Sequence, residues 1–456
     1  MMRCFRGWAA FLTLFLCISA AGESVFVSSS TGDDANSGLS AESPLRTIEA
    51  ALKKPGDVFL KAGDIFYGSV VCRGRNLSRY GEGANPVVSG YKRLSGSKWQ
   101  RVSRRVWRLD LRGTGFSGAG VSAASSLLNN IGCLHEYDKD AIHGRRVQFR
   151  EDLKQDWDFW QVDTTFIGMD PACFDYLYLY SRRNPNRMKL ELSIGTRALI
   201  VGDAIIDGVD FVGFGFGIAG HSRTVVRNCR IDAIGGMLQI GYPVFVCYGN
   251  GIEFYLNEDI EDCLVEHCWV SRCYDAGMTI QGSEHPGATP RNIVFRGNVV
   301  SHCCQAWEDF LRNGDDVLFV NCRFEQNLVF GSGDSGFGYA DGRFKYCNVL
   351  GNNVEGDRGM IIRDNVFVGG NYYCSSPFRK KFRSNVWEGN RCYLTPGSFL
   401  LSNYRGTDYV IRVQQDGNEF VIARYRELTG DLSTEFVIVS PEEMAALERR
   451  LLDSLY

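Results

Sequence analysis

The chain has 456 residues, with 51 Gly, 29 Phe, only 11 Pro and a formal net charge of -3. That length admits one large solenoid or two to three ordinary domains, and the Gly and Phe usage suits a turn-rich all-β protein with a real core. No sustained basic stripe runs along it, which excludes a nucleic-acid binder of the electrostatic kind.

Arg3 and Arg6 precede an apolar run from Trp8 to Ile18, and Ser19-Ala20-Ala21 offers small residues before Gly22. This is the layout of a secretory signal over residues 1–22. The run is too short to span a bilayer, and no second stretch does so. A secreted, periplasmic or cell-surface protein is expected, without an integral membrane segment once the signal is removed. Residues 23–91 read as an N-terminal cap and first coils. Val25 to Val27 suits a strand, and Leu45, Ile48, Ala51 and Leu52 form one helical stripe that Pro55-Gly56 ends. Such a helix over the first coil would close an otherwise open strand edge.

Residues 92–197 break the pattern and read as an inserted β-rich subdomain. Val106 to Leu111 and Tyr176 to Tyr180 alternate like antiparallel strands. Residues 198–395 carry a ladder in which Asn or Cys is followed, after one variable residue, by a β-branched or aromatic one. Its members are Cys229, Cys268, Asn298, Asn327, Cys347, Asn365 and Asn385, spaced by about twenty residues late and about thirty earlier. A period near twenty with strand-type residues predicts stacked coils of a parallel β-solenoid. The Asn members are expected to hydrogen-bond from turn to turn. Cys229, Cys268 and Cys347 stand where Asn stands in other coils, which points to stacked buried thiols, although export would permit disulfides. In residues 396–456, Tyr409 to Val413 and Glu419 to Ala423 look β-like. Ser440-Pro441-Glu442-Glu443 then opens a helix with an apolar face, expected to pack on the body as a second cap.

The opening from Val27-Ser28-Ser29-Ser30-Thr31-Gly32-Asp33-Asp34 through Ser43-Pro44-Leu45-Arg46-Thr47-Ile48 to Gly56-Asp57-Val58-Phe59-Leu60-Lys61-Ala62-Gly63 resembles secreted members of the pectin-lyase-like superfamily. So do Pro86-Val87-Val88-Ser89-Gly90, Tyr248-Gly249-Asn250-Gly251-Ile252-Glu253-Phe254 and Tyr274-Asp275-Ala276-Gly277. The resemblance implies an all-β, right-handed parallel β-helix. It also implies polysaccharide lysis, glycoside hydrolysis, uronate epimerisation or esterase action, without assigning a catalytic residue to any position here.

Aligning Gly251-Ile252-Glu253, Gly277-Met278-Thr279, Ala306-Trp307-Glu308 and Gly336-Phe337-Gly338 puts Glu253 and Glu308 at one coil position, with Thr279 between. Backbones two strands apart are separated by roughly 9–10 Å, and carboxylates ~6.5–9.5 Å apart suit an inverting glycosidase. Glu253, Glu308 and Asp275 are therefore the candidate catalytic residues. Trp307 and Tyr274 are candidates to stack on sugar rings or to pack against the insert. His285, Arg312 and Asp309 are further candidates for substrate contact. Ca²⁺ between Asp275, Glu308 and Asp309 is a candidate cofactor for a lyase, with Arg379-Lys380-Lys381-Phe382-Arg383 as the densest basic cluster. The reading is a monomer that cleaves a polysaccharide, uronic-acid-containing, by lyase or hydrolase chemistry. A non-catalytic glycan-binding module and a uronate epimerase or esterase stand as alternatives.

Overall fold

In a computed structural model the described residues are 24–93, 98–112, 114, 131–161, 175–193, 195–239, 246–282, 288–311, 318–338, 347–351, 359–376, 385–403 and 411–455. The expected signal at 1–22, His285, Arg312 and the basic cluster at 379–383 lie outside them. Among the described residues no helix is long and apolar enough to cross a membrane.

Three ten-stranded sheets run the length of the chain, and successive coils contribute one strand to each. Sheet 1 runs from Val25–Val27 to Val386–Glu388, and sheet 2 from Ile65–Tyr67 to Glu435–Ile438. Sheet 3 runs from Val70–Arg73 to Phe399–Asn403 and ends on the antiparallel strand Ile411–Arg412. All other neighbours within these sheets pair parallel, as in Ile252↔Met278 and Met278↔Trp307. The molecule is a parallel β-helix. Its core is built from columns of side chains repeated coil after coil. One column in sheet 3 is Ile218, Ile252, Met278, Trp307, Val349, Cys374 and Leu401, all buried. A fully buried aliphatic side chain contributes about 1.5–3 kcal/mol, so the repeat itself supplies the driving force.

The corners explain the ladder. Asn228, Asp262, His267, Arg272, His302 and Asn321 adopt left-handed φ values between 48° and 57°. Each is followed by a buried Cys: Cys229, Cys263, Cys268, Cys273, Cys303 and Cys322. The thiol turns back to the carbonyl two residues earlier at 3.1–3.7 Å. A small weak donor thus satisfies a carbonyl exposed by the turn. Twelve cysteines of the described residues, from Cys72 to Cys392, are free and buried. Along sheet 2 the corner position reads Cys229, Cys268, Asn298, Asn327, Asn365 and Asn390, and each Asn carbonyl accepts from the backbone N–H of its neighbour one coil back. Cys347 and Asn385, assigned to this ladder from spacing, belong elsewhere. Cys347 begins a strand of sheet 3, and Asn385 precedes a strand of sheet 1. The error arose because one coil of this chain ranges from 20 to 39 residues between equivalent positions, so a fixed spacing of twenty steps between sheets in the longer coils.

Between the first coils and the main stack, an antiparallel four-stranded sheet and a mixed five-stranded sheet, in which only Arg145–Arg146 pairs parallel with Asp158–Trp160, stand outside the solenoid. Val106–Asp110 pairs with Tyr176–Tyr180 as the alternation predicts. Trp99, Leu109, Phe159, Leu177 and Leu179 give this region its own core. It docks on the solenoid through Tyr91, Cys133, Ala233, Tyr274, Cys304 and Phe337. At the seam the backbones meet so closely that a Cβ on Gly132 would lie 2.8 Å from the Gly235 carbonyl carbon.

Helix α1 (Ile48–Leu52) has Thr47 as its N-cap, accepting from the Ala50 N–H, and sets Ile48 and Ala51 over the first coil. Glu419 to Ala423, read as β-like, instead opens helix α2 (Glu419–Thr429). Its buried residues Val421, Tyr425 and Thr429 recur every four residues, a helical period, and Gly430 ends it in the left-handed region. Helix α3 (Pro441–Leu455) has the expected capping box: the Ser440 N–H donates to Glu443 and the Glu443 N–H donates to the Ser440 hydroxyl. It does not close the end of the solenoid. It lies against the outer face of sheet 2, on Phe330, Val368, Leu328 and Val366. The C-terminal core is covered by α2, through Val421 and Tyr425.

Candidate functional site

In sheet 3, Glu253 pairs with Thr279, and Thr279 with Glu308. Their neighbours Ile252, Phe254, Met278, Ile280 and Trp307 belong to the core. Since successive residues of a strand face opposite sides, Glu253, Thr279 and Glu308 share the outer face. Outward does not mean exposed: Glu253 is 1%, Thr279 0% and Glu308 7% accessible.

Glu253 is held from four directions. Arg197 lies two strands back across the sheet and donates to Oε2 at 2.9 Å. The Tyr248 hydroxyl, the Asn250 amide and the Gln281 amide all donate to Oε1. Ala219, on the strand between Arg197 and Glu253, has too small a side chain to obstruct the pair. The Arg197 guanidinium rests 4.9 Å from the Phe216 ring centroid. Burial disfavours its charge, but the Glu253 carboxylate outweighs this and raises its pKa. Burial, followed by the Glu253 charge, pushes the Tyr248 phenol well above its ordinary value. Tyr248 therefore acts as a proton donor to Glu253. The Thr279 hydroxyl, between the two acids, has no hydrogen-bond partner among the described residues. Asp275 lies beside this group. It is 4% accessible and accepts from the Gln305 amide at 2.8 Å.

Several sequence-based expectations need correction. Trp307 is fully buried and points inward, packed on Phe295 and Phe324, so it offers no platform to a sugar. Tyr274 is also fully buried, beneath the Arg146 guanidinium 4.4 Å from its ring centroid, in the seam with the insert. Asp309 pairs with Ile280 and Gly351 in an inward column, so it faces the core and not an external substrate. Burial pushes its carboxyl well above the usual range, against a smaller lowering from Asn385, and neither oxygen makes a hydrogen bond of good geometry. Asp309 and Glu308 face opposite sides and cannot close on one Ca²⁺. Among the described residues no cluster of three His, Cys, Asp or Glu could hold a metal. The fourth coil also differs: Trp307 pairs with Val349, whereas Gly336-Phe337-Gly338 lies at the insert, with Gly338 bridged to Arg146.

Sequence reasoning missed Arg197 and Gln281, and had Tyr248 and Asn250 only as part of the resemblance. Tyr248 and Asn250 lie five and three residues before Glu253, but no local pattern indicates that they fold back on it.

No protein-family model and no curated protein matches the chain. Among solved structures it is similar to XylC in complex with xylose (12% identity, 91% of this chain and 82% of that one, TM-score 0.48). It is also similar to a glycoside hydrolase (9%, 84% and 94%, 0.42) and to an alginate lyase from Paenibacillus sp. str. FPU-7 (11%, 83% and 90%, 0.42). At such identities these likenesses concern fold alone.

Proposed function

We propose that this protein is a secreted enzyme that cleaves a polysaccharide by glycoside hydrolysis at the outer face of sheet 3. The observation that carries this reading is the row Glu253, Thr279 and Glu308, in which two carboxylates on alternate strands flank a buried hydroxyl that has no partner among the described residues. Strands two apart set the backbones roughly 9–10 Å apart, the separation that leaves room for a water between acid and base. Glu253 is the base. Its Oε1 is occupied by three donors, and Oε2, with Arg197 as its partner, is the oxygen left to take a proton from water. Thr279 orients that water, and Glu308 protonates the leaving oxygen. Asp275 adds negative charge beside the pair.

The burial of all three acids supports a second reading, a glycan-binding β-helix without turnover, because a polymer reaches them only where the covering side chains part. A screen of the purified chain against acidic and neutral polysaccharides separates the two. New reducing ends without absorbance from unsaturated uronates support hydrolysis. Unsaturated products would move the chemistry to a lyase, and binding without new ends would establish the module.

A further inference from the structure

A second polar cluster lies where the inserted sheet meets the first coils. Glu191 is 2% accessible, and its two oxygens are divided between two partners. Oε1 accepts from Arg93 Nε at 2.7 Å, and Oε2 lies 3.0 Å from His135 Nδ1. The other ring nitrogen of His135 is 3.2 Å from the Asp140 carboxylate. Tyr91 stacks on the His135 ring at 4.6 Å, and the Arg93 guanidinium lies 4.0 Å over the Tyr137 ring. Tyr67, from the first coils, faces the same group: burial and then the Glu191 charge hold its phenol above the ordinary value.

This arrangement goes further than joining two parts of the chain. One buried carboxylate fixes groups that nonetheless face solvent. The side chains of Arg93 and Asp140 are 59% and 98% exposed, and Tyr67 and Tyr137 are 53% and 44% exposed. An exposed arginine normally loses considerable freedom on binding, and here Glu191 and the Tyr137 ring have already ordered it. The exposed rings of Tyr67 and Tyr137, the second already carrying Arg93 on one face, suit the C–H side of a sugar ring. A planar guanidinium between them suits a carboxylate. Asp140, positioned by His135, accepts from hydroxyls.

We propose that this junction binds an acidic sugar unit, with its carboxylate on Arg93, its ring against Tyr67 or Tyr137, and a hydroxyl on Asp140. The proposal goes beyond cleavage at sheet 3 and does not depend on it. The test is calorimetric titration of the full-length Glu253→Gln chain, which keeps the probe intact, with an oligogalacturonate and with a neutral oligomer of equal length. Adding Tyr67→Ala is expected to weaken oligogalacturonate binding roughly five- to tenfold at an unchanged melting temperature, and Arg93→Gln to weaken it at least as much while lowering the melting temperature, because buried Glu191 loses a partner. The neutral oligomer is expected to bind at least tenfold more weakly. Tyr67→Ala alters an exposed side chain, and it decides the matter with Tyr137→Ala if Arg93→Gln does not fold. Absence of oligogalacturonate binding by the parent, equal affinity for both oligomers, or affinity unmoved by the tyrosine variants would overturn the proposal. Because binding is read directly, failure of the hydrolase reading leaves each outcome interpretable.

Discussion

Arg197 and Glu253 form an ion pair across the outer face of sheet 3 at 2.9 Å, with the Glu253 side chain 2% and the Arg197 side chain 27% exposed. The pair spans two strand spacings and fixes Oε2, while Tyr248, Asn250 and Gln281 hold Oε1.

Removing one partner of a buried pair leaves the other charge uncompensated. Arg197→Ala should therefore destabilise the fold by about 3 kcal/mol. Glu253→Gln, which keeps the shape and the acceptor for Tyr248, should cost less than half of that. Chemical denaturation of both variants checks the order.

The Asn ladder should behave as a chain of obligatory bonds. The Asn327 amide donates to Phe295 O and Asn365 Oδ1, both at 3.1 Å, and its carbonyl accepts from the Asn298 N–H at 2.9 Å. Asn327→Ala strips a 1% accessible position of all these and leaves buried groups unpaired. A loss of about 2–4 kcal/mol is expected, measured by thermal or denaturant melts. Asn418, a half-buried residue at the start of α2, is the control, since Asn418→Ala should cost under about 1 kcal/mol.

Asp309 predicts a pH dependence of definite sign. Its carboxyl is raised by burial, so the folded state holds a proton that the unfolded state releases above the ordinary carboxylate range. The folded state then binds more protons, and stability falls as pH rises from that range toward the folded value. Asp309→Asn should melt at a higher temperature than the parent at pH 7, and the difference should shrink below about pH 4. Melting curves across that interval decide it.

Burial also silences the thiols. Cys72 and Cys133 are pushed up to about 11, and Cys263 and Cys322 up to about 12. Alkylation of the native chain at pH 8 should leave these four unlabelled, and unfolding in denaturant should expose them all. Mass mapping of labelled peptides reads the result, and labelling of Cys263 or Cys322 in the folded chain would contradict the corner geometry.

The β-helix was legible in the sequence because its core repeats: inward Val, Ile and Phe and the corner Cys and Asn recur in each coil. The coil lengths were not legible, since loops of different size separate equivalent corners, and Asn385 was therefore placed one sheet away from its true position. Strand alternation could have prevented the error at Trp307 and Asp309. Once Glu308 faces out, both its neighbours face in. Helix α2 was missed because Phe420, Val421 and Ile422 are strand formers by propensity, whereas the spacing of Val421, Tyr425 and Thr429 carried the helical signal. Arg197 and Gln281 could not be found from local pattern, because they come to Glu253 from other coils.

The most direct test of the account measures reducing-end release from a polysaccharide by the parent chain beside Glu253→Gln and Glu308→Gln, with all three confirmed as folded. The account predicts release by the parent and a loss of roughly 10²–10⁴-fold in each variant. Equal release by all three, or no release by the parent from any acidic or neutral polymer, would contradict it.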